Sequence, residues 1–228
     1  MPQDTSPAFE QALGVLRQFR GARRSAARAV EHCELCSAEL HSDHPHLVEL
    51  ASRQLICACD ACALLFDGKE RAKYKRVSRR VLSLPGFAIT DAQWESLIIP
   101  INLAFFFHSS LEGRTIAFYP SPAGAVESLL TLEAWNAILE LNPVLHSMQS
   151  DIEALLVNRV DMTRKGYADA SASPEYFIAP MDECYKLVGL IRANWKGLAG
   201  GSEVWEEINR FFANLRARST AMIGDHHA

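Results

Sequence analysis

Two Cys-x-x-Cys pairs near the front of the chain could hold one metal ion. Cys33 and Cys36 form the first pair, and Cys59 and Cys62 form the second. A Cys-x-x-Cys turn lets both sulfurs face one ion, and four thiolates suit tetrahedral Zn²⁺ or the iron of a rubredoxin-like site. The spacing therefore predicts that these four cysteines are the ligands of a single metal ion.

The segment between the two pairs predicts a hairpin followed by a helix. Residues 46–50 and 53–57 have the composition of two short strands, and residues 59–66 have the pattern of a helix. A turn, a hairpin and a helix that carries the last two ligands is the order of a treble-clef zinc finger. Backbone N–H groups in the first turn of that helix would stabilise the thiolates of Cys59 and Cys62.

Further potential ligands lie beside these pairs. Cys57 could replace Cys59, assist a second ion or pack in the core, and its alternation with Leu55 favours the core. Four thiolates already complete a tetrahedron, so solvated loop positions or hydrogen bonds to sulfur are favoured for the histidines between the pairs. These histidines are His41, His44 and His46.

A disulfide framework is the rival interpretation of the same cysteines. Residues 1–6 have neither the basic start nor the apolar core of a secretory signal. The longest apolar stretch, 97–107, is interrupted by Pro100 and Asn102 and is too short to span a bilayer. We therefore expect a cytoplasmic protein without a membrane span, and in a reducing compartment paired cysteines favour metal over disulfides.

Length and composition predict an α+β protein with one compact domain and a small metal module. The chain has 228 residues, of which 49% are hydrophobic and 22% charged, which is an ordinary globular composition. The predicted parts are an N-terminal helix and basic arm (1–28), a four-cysteine finger (29–68), a basic connector (69–80), a mixed α+β body (81–220) and a frayed tail (221–228).

The body is predicted to mix strands and helices. Strands 103–108 and 114–119 should pair as a hairpin, and the proline-rich residues 120–124 should end the second of them. Asp182 and Ser202 are plausible caps for two C-terminal amphipathic helices. The other predicted elements are strands at 79–84, 152–159 and 176–179 and a helix at 131–141.

Catalytic motifs are absent from the sequence. It has no phosphate-binding glycine loop, no Gly-x-Ser-x-Gly elbow and no His-Glu-x-x-His helix. His108, Ser121 and Glu127 are polar candidates near the predicted hairpin, but nothing in the sequence brings them together. The sequence therefore favours a protein that acts by contact rather than by chemistry of its own.

Two features leave a nucleic-acid function open. The basic connector interleaves cations with Tyr74 and could contact a phosphate backbone, an acidic protein or only solvent. Asp43-His44 resembles the Asp-His of HNH endonucleases, in which histidine activates water. However, Ala63 replaces the asparagine expected after the second pair, the glycines and the asparagine expected before it are absent, and no downstream histidine completes that site.

Seven segments together carry a family resemblance. The segments are 33–36, 44–47, 55–66, 103–107, 117–124, 153–159 and 184–192. With these segments the chain resembles an uncharacterised bacterial family whose members are encoded beside the subunits of high-affinity, oxygen-tolerant nickel-iron hydrogenases. The resemblance covers residues 30–218 and implies an accessory protein in the making or working of a hydrogenase, with a hydrogenase subunit or maturation factor as partner. It implies no activity.

Structural zinc is favoured over iron at the four cysteines. Zinc would fix a recognition surface without redox chemistry, whereas iron could pass single electrons. Rubredoxin-type turns usually carry glycine after the second cysteine, and Ser37 and Ala63 occupy those positions here. The leading hypothesis is therefore a zinc-binding accessory protein, and the alternatives are a rubredoxin-like electron-transfer protein and an HNH-like nuclease or nucleic-acid-binding protein.

Overall fold

A computed structural model of the chain describes residues 30–67, 72–129, 132–160, 173–197 and 200–222. These residues form two sheets and five α-helices, which confirms the predicted mixed α+β class. The predicted N-terminal helix and nearly all of the predicted frayed tail lie outside the described residues. None of the helices in these ranges combines the length and the apolar character that a membrane crossing requires.

The front of the described chain forms a small three-stranded antiparallel sheet and one helix. Strand β1 (His46–Glu49) lies between β2 (Gln54–Cys57) and β3 (Tyr74–Arg76). Helix α1 (Asp60–Phe66) follows β2 directly. The hairpin and helix that the sequence predicted are therefore present, and β3 comes from the segment predicted as a connector. We call residues 30–67 together with β3 the finger.

The body is built on a seven-stranded sheet in the order β10-β4-β9-β8-β5-β6-β7. Every neighbouring pair is antiparallel except β10 and β4, which run parallel. The strands are β4 (Leu82–Ser83), β5 (Leu103–Ser109), β6 (Arg114–Ser121), β7 (Gly124–Ser128), β8 (Glu153–Asn158), β9 (Glu175–Pro180) and β10 (Thr220–Ala221).

Both faces of this sheet are covered, because its central strands are apolar on both sides. Phe105 and Phe107 pack on the face that carries the two C-terminal helices, while Ala104 and Phe106 pack on the opposite face. The C-terminal helices are α4 (Met181–Asn194) and α5 (Gly201–Arg218). The opposite face carries α2 (Asp91–Ser96), α3 (Leu132–Leu141) and a 3₁₀ helix (Pro143–Ser147).

The sequence predicted that residues 120–124 end the second strand of the hairpin, but that strand continues to Ser121 and a further antiparallel strand follows. Strand β6 includes Pro120, and β7 returns antiparallel from Gly124. The ladder with β5 runs only as far as the Phe105–Phe118 pair. Pro120 lies beyond that pair, so its missing N–H interrupts no hydrogen bond to β5.

The two predicted helix caps were also wrong. The N-cap of α4 is Pro180, and Asp182 lies inside the first turn. The N-cap of α5 is Gly200, whose φ of +86° places it in the left-handed region. A Cβ atom on Gly200 would lie 2.9 Å from the side chain of Val204, so glycine is required both for its conformation and for the close approach.

Candidate metal centre

The four cysteines of the two pairs lie together at one end of the finger. Their sulfurs are within 4.8 Å of one another, and the Cys36 and Cys59 Sγ atoms are 3.6 Å apart. A tetrahedron with metal–sulfur bonds of about 2.3 Å has sulfur–sulfur edges of roughly 3.8 Å. All four residues are free thiols. The geometry therefore fits the binding of one metal ion by Cys33, Cys36, Cys59 and Cys62.

The first pair lies in a tight turn closed by backbone hydrogen bonds. The N–H of Cys33 donates to the Ala38 carbonyl at 2.8 Å, and the N–H of Ser37 donates to the Cys33 carbonyl at 2.7 Å. Ser37 has a φ of +61°, the left-handed conformation that usually takes glycine. Because Ser37 adopts this conformation itself, the absence of glycine does not distinguish zinc from iron.

The second pair is positioned by the start of α1. Cys59 is the N-cap, and its sulfur accepts a hydrogen bond from the backbone N–H of Cys62 at 3.4 Å. A helix N-terminus leaves backbone N–H groups unpaired within the helix, and here one of them is directed at a ligand sulfur. This contact is the predicted approach of a helix N-terminal N–H to Cys59, whereas burial and the neighbouring sulfurs raise the pKa of Cys62.

The pKa values of Cys33 and Cys62 are shifted in opposite directions. Burial opposes ionisation of Cys33, but hydrogen bonds from the backbone at Cys59, Leu35 and Cys36 lower the pKa of Cys33 to about 6. Burial, followed by contact with the other three sulfurs, raises the pKa of Cys62 to about 12. Without a cation the four groups cannot all ionise, and a divalent metal removes that conflict.

A second group of potential ligands lies beside the first. His44, His46 and Cys57 each present a ligand atom within 4.8 Å of the other two. Cys57 is half-buried rather than part of the core, so the core prediction for this residue was wrong. Burial raises the pKa of the Cys57 thiol, and the carboxylates of Glu34 and Glu31 raise it further.

The sequence favoured solvated positions or hydrogen bonds to sulfur for the three histidines, and of the three only His41 is exposed. The His44 side chain is 8% exposed, and its Nδ1 donates to the His41 carbonyl at 2.9 Å. His46 Nδ1 lies 2.9 Å from the Asp182 carboxylate. The sequence left a second ion at Cys57 open as an alternative but did not join Cys57 to the two histidines, although His-x-His opposite a cysteine in the predicted hairpin was the visible signal.

One known protein family matches most of the chain. A model of a family of unknown function, DUF5947, matches residues 32–219. The chain belongs to this family. No curated protein and no solved structure matches it. Membership of an uncharacterised family is therefore confirmed, and the association with hydrogenases stays a prediction.

In this DUF5947 protein, cations of the predicted basic connector pair with carboxylates of the same chain. Lys73 contacts Glu49, and Lys75 contacts Asp151. The remaining described pairs are Arg79 with Asp43 at 3.0 Å and Arg80 with Glu153 at 2.6 Å. These contacts link residues 73–80 to both the finger and the body, and they pair four cations of this segment with carboxylates.

Two of the three polar candidates near the β5–β6 hairpin, Glu127 and Ser121, are engaged in other contacts. Glu127 pairs with Arg53 and Arg114, and this contact lowers the pKa of its carboxyl although burial opposes ionisation. The Ser121 hydroxyl donates to the Gly124 carbonyl at 2.9 Å within the β6–β7 turn. Glu127 thus holds Arg53 of the finger in place, and Ser121 stabilises the β6–β7 turn.

Proposed function

We propose that this chain is a zinc-binding accessory protein that acts by contacting another protein. The observation that carries the proposal is the convergence of four cysteine sulfurs from a turn and a helix start. Together with the intervening hairpin, these elements have the order of a treble-clef finger. A four-thiolate zinc site is closed and has no redox chemistry, so its role is to hold local structure.

The surface that the metal would hold in place is the outer side of α1. Leu64, Leu65 and Phe66 are 67%, 60% and 38% exposed, an unusual concentration of exposed apolar side chains in three consecutive residues. They follow Cys62 and Ala63 in the same helix, so a metal at Cys59 and Cys62 fixes the helix that presents them. An apolar surface on a metal-anchored helix suits a partner with a complementary apolar groove.

The proposed partner is a subunit or maturation factor of a nickel-iron hydrogenase. Support for this setting comes from the sequence resemblance and not from the geometry. Deletion of the gene should lower hydrogenase activity or subunit processing, and the tagged chain should co-purify with a hydrogenase component. Normal activity with an unaltered subunit pattern would contradict the hydrogenase setting.

Metal analysis of the purified chain tests the zinc site itself. The variants Cys33→Ser and Cys62→Ser should each contain one zinc fewer per chain than the native protein. Cys184 is fully buried in the body, so Cys184→Ala is a matched control that should keep its zinc. Intense visible absorption from a ferric four-thiolate centre would instead support the rubredoxin-like alternative.

The nuclease alternative can be tested in the same preparations. Metal-dependent nicking of plasmid DNA that disappears in His44→Ala would support it. The pairing of Arg79 and Arg80 with Asp43 and Glu153 argues against it, because phosphate contacts would have to displace those carboxylates. The absence of DNA binding at moderate salt would leave the accessory function.

A further inference from the structure

A second cluster of metal-ligating side chains lies where the finger meets the body. One ring nitrogen from each of His44 and His46 lies within 4.8 Å of the Cys57 sulfur and of the other. We propose that these three residues bind a second transition-metal ion, which keeps one exchangeable coordination position open to a cleft. The site uses none of the four cysteines discussed above and does not depend on the proposed accessory function.

Strand register brings the three ligands to one side of the hairpin. His46 and Cys57 are direct partners across β1 and β2, so their side chains project from the same face. His44 lies two residues before His46, which puts it on that face as well. The backbone N–H of Ala58 donates to the Pro45 carbonyl at 3.0 Å, which continues the strand pairing beyond His46.

Hydrogen bonds at both histidines prepare Nε2 for a metal ion. The Nδ1 of His44 must donate to the His41 carbonyl, because a carbonyl oxygen carries no proton. The Nδ1 of His46 donates in the same way to the carboxylate of Asp182. In a neutral imidazole the other nitrogen then holds a lone pair. The Asp182–His46 pair has the arrangement in which a carboxylate orients a metal-binding histidine.

The buried nitrogen of His44 is an independent indication of a ligand. Its Nε2 is buried and has no hydrogen-bond partner among the residues that the structure describes. The whole side chain is only 8% exposed, so solvent does not readily supply that partner. A buried acceptor without a partner is unfavourable, and such groups in proteins are usually explained by a role or by a bound species. A metal ion on Nε2 satisfies it.

The donor set selects the class of metal. Two imidazoles and one thiolate suit Zn²⁺ or Co²⁺, whereas Mg²⁺ and Ca²⁺ prefer oxygen ligands. Three protein ligands leave the fourth tetrahedral position for an exchangeable ligand, as in catalytic zinc sites. Binding displaces the thiol proton of Cys57 to solvent.

Both histidines line a cleft of about 660 Å³, through which a fourth ligand would reach the ion. The cleft also carries Asp182, Tyr185 and Lys186 from the start of α4. A divalent ion, one thiolate and two neutral imidazoles together carry about +1, and the Asp182 carboxylate bonded to His46 offsets part of that charge. Water suits the fourth position of such an ion, and azide, a small anion that can displace water, is the probe.

Cobalt titration of the untagged, metal-free full-length chain under reducing conditions tests the site. The native protein should bind two equivalents of Co²⁺, and azide should change the visible spectrum of the fully loaded form. His44→Ala and Cys57→Ser should each bind one equivalent and lose the azide response. His146→Ala, which alters an exposed histidine of the 3₁₀ helix, should behave as the native chain does.

Retention of the first equivalent and of the circular dichroism spectrum would show that these variants fold. One equivalent in the native protein, or two in both His44→Ala and Cys57→Ser, would overturn the proposal. The proposal would also be overturned if Cys57→Ser lost the Co²⁺ of the four-cysteine centre while Cys59→Ser kept it. Cys57 would then be a ligand of that centre. Asp182→Asn should keep two equivalents but weaken the second by about tenfold, as expected for a positioning residue.

Discussion

Arg80 donates two hydrogen bonds to the carboxylate of Glu153, at 2.6 and 2.7 Å, and so fastens the end of the basic segment to strand β8. Glu153 is completely buried. Its carboxylate also accepts from the backbone N–H of Gln149 at 2.9 Å. The pair links the segment that follows the finger to the centre of the body, in a place where an unpaired carboxylate would be poorly solvated.

Removal of Arg80 should destabilise the protein strongly. Arg80→Ala leaves the Glu153 carboxylate buried without its counter-charge, and we expect the free energy of unfolding to fall by about 3 kcal/mol. The exposed pair of Arg210 with Glu207 is a matched control. Arg210→Ala should lower the free energy of unfolding by less than about 0.5 kcal/mol. Chemical denaturation monitored by tryptophan fluorescence measures both. Equal effects in the two variants would contradict the expected role of the buried pair.

The same carboxylate should make stability depend on pH. Burial opposes ionisation of Glu153, but hydrogen bonds from Arg80 and the Gln149 N–H hold its pKa below the ordinary value of 4.5. A pKa that is lower in the folded state gives stability that is present above the unfolded-state pKa and lost as the pH falls through the folded-state pKa. The free energy of unfolding of the native chain and of Glu153→Gln should therefore be measured at pH 7 and at successively lower pH. The difference between the two proteins should shrink as the pH falls. A gap that is constant from pH 7 to pH 3 would contradict this assignment.

Zinc binding at the four cysteines should release protons. The pKa of Cys62 is raised to about 12 and that of Cys36 is raised as well, so both are thiols at pH 7 in the metal-free chain. Coordination requires thiolates, and we expect at least two protons per zinc. Calorimetric titration in two buffers of different protonation enthalpy counts them, with the Cys57→Ser variant used to isolate this centre. A binding enthalpy that is independent of the buffer would refute the expectation.

A charge on the outer side of α1 should weaken partner binding and leave the fold intact. Leu65→Glu places a carboxylate on an apolar surface that is 60% exposed in the free chain. Recovery of the hydrogenase component in pull-down should fall at least tenfold, as expected for an interface anchor. Leu141→Glu is the matched control, because Leu141 is 69% exposed at the end of α3. Both variants should keep the zinc content and melting temperature of the native chain, and equal losses in both pull-downs would rule out α1 as the contact surface.

Short-range patterns in the sequence were sufficient for much of the fold. Predicted strands or helices overlap β1, β2, β4, β5, β6, β8 and β9 and α1, α3, α4 and α5. Strands β3, β7 and β10 and helix α2 were not predicted. The β7 segment follows Pro122 and carries no strong alternation, and α2 is only six residues long, so tertiary packing rather than local pattern defines both.

The sequence by itself determined that four cysteines can meet, because each Cys-x-x-Cys turn and the hairpin between them are local structures whose spacing is visible in the chain. Only the tertiary structure decided how the other polar groups are used. Asp182 reaches His46 across 136 residues, and Glu153 reaches Arg80 across 73. Such pairings depend on how the finger packs against the body, and side-chain spacing along the chain carries no information about contacts made between separately folded elements.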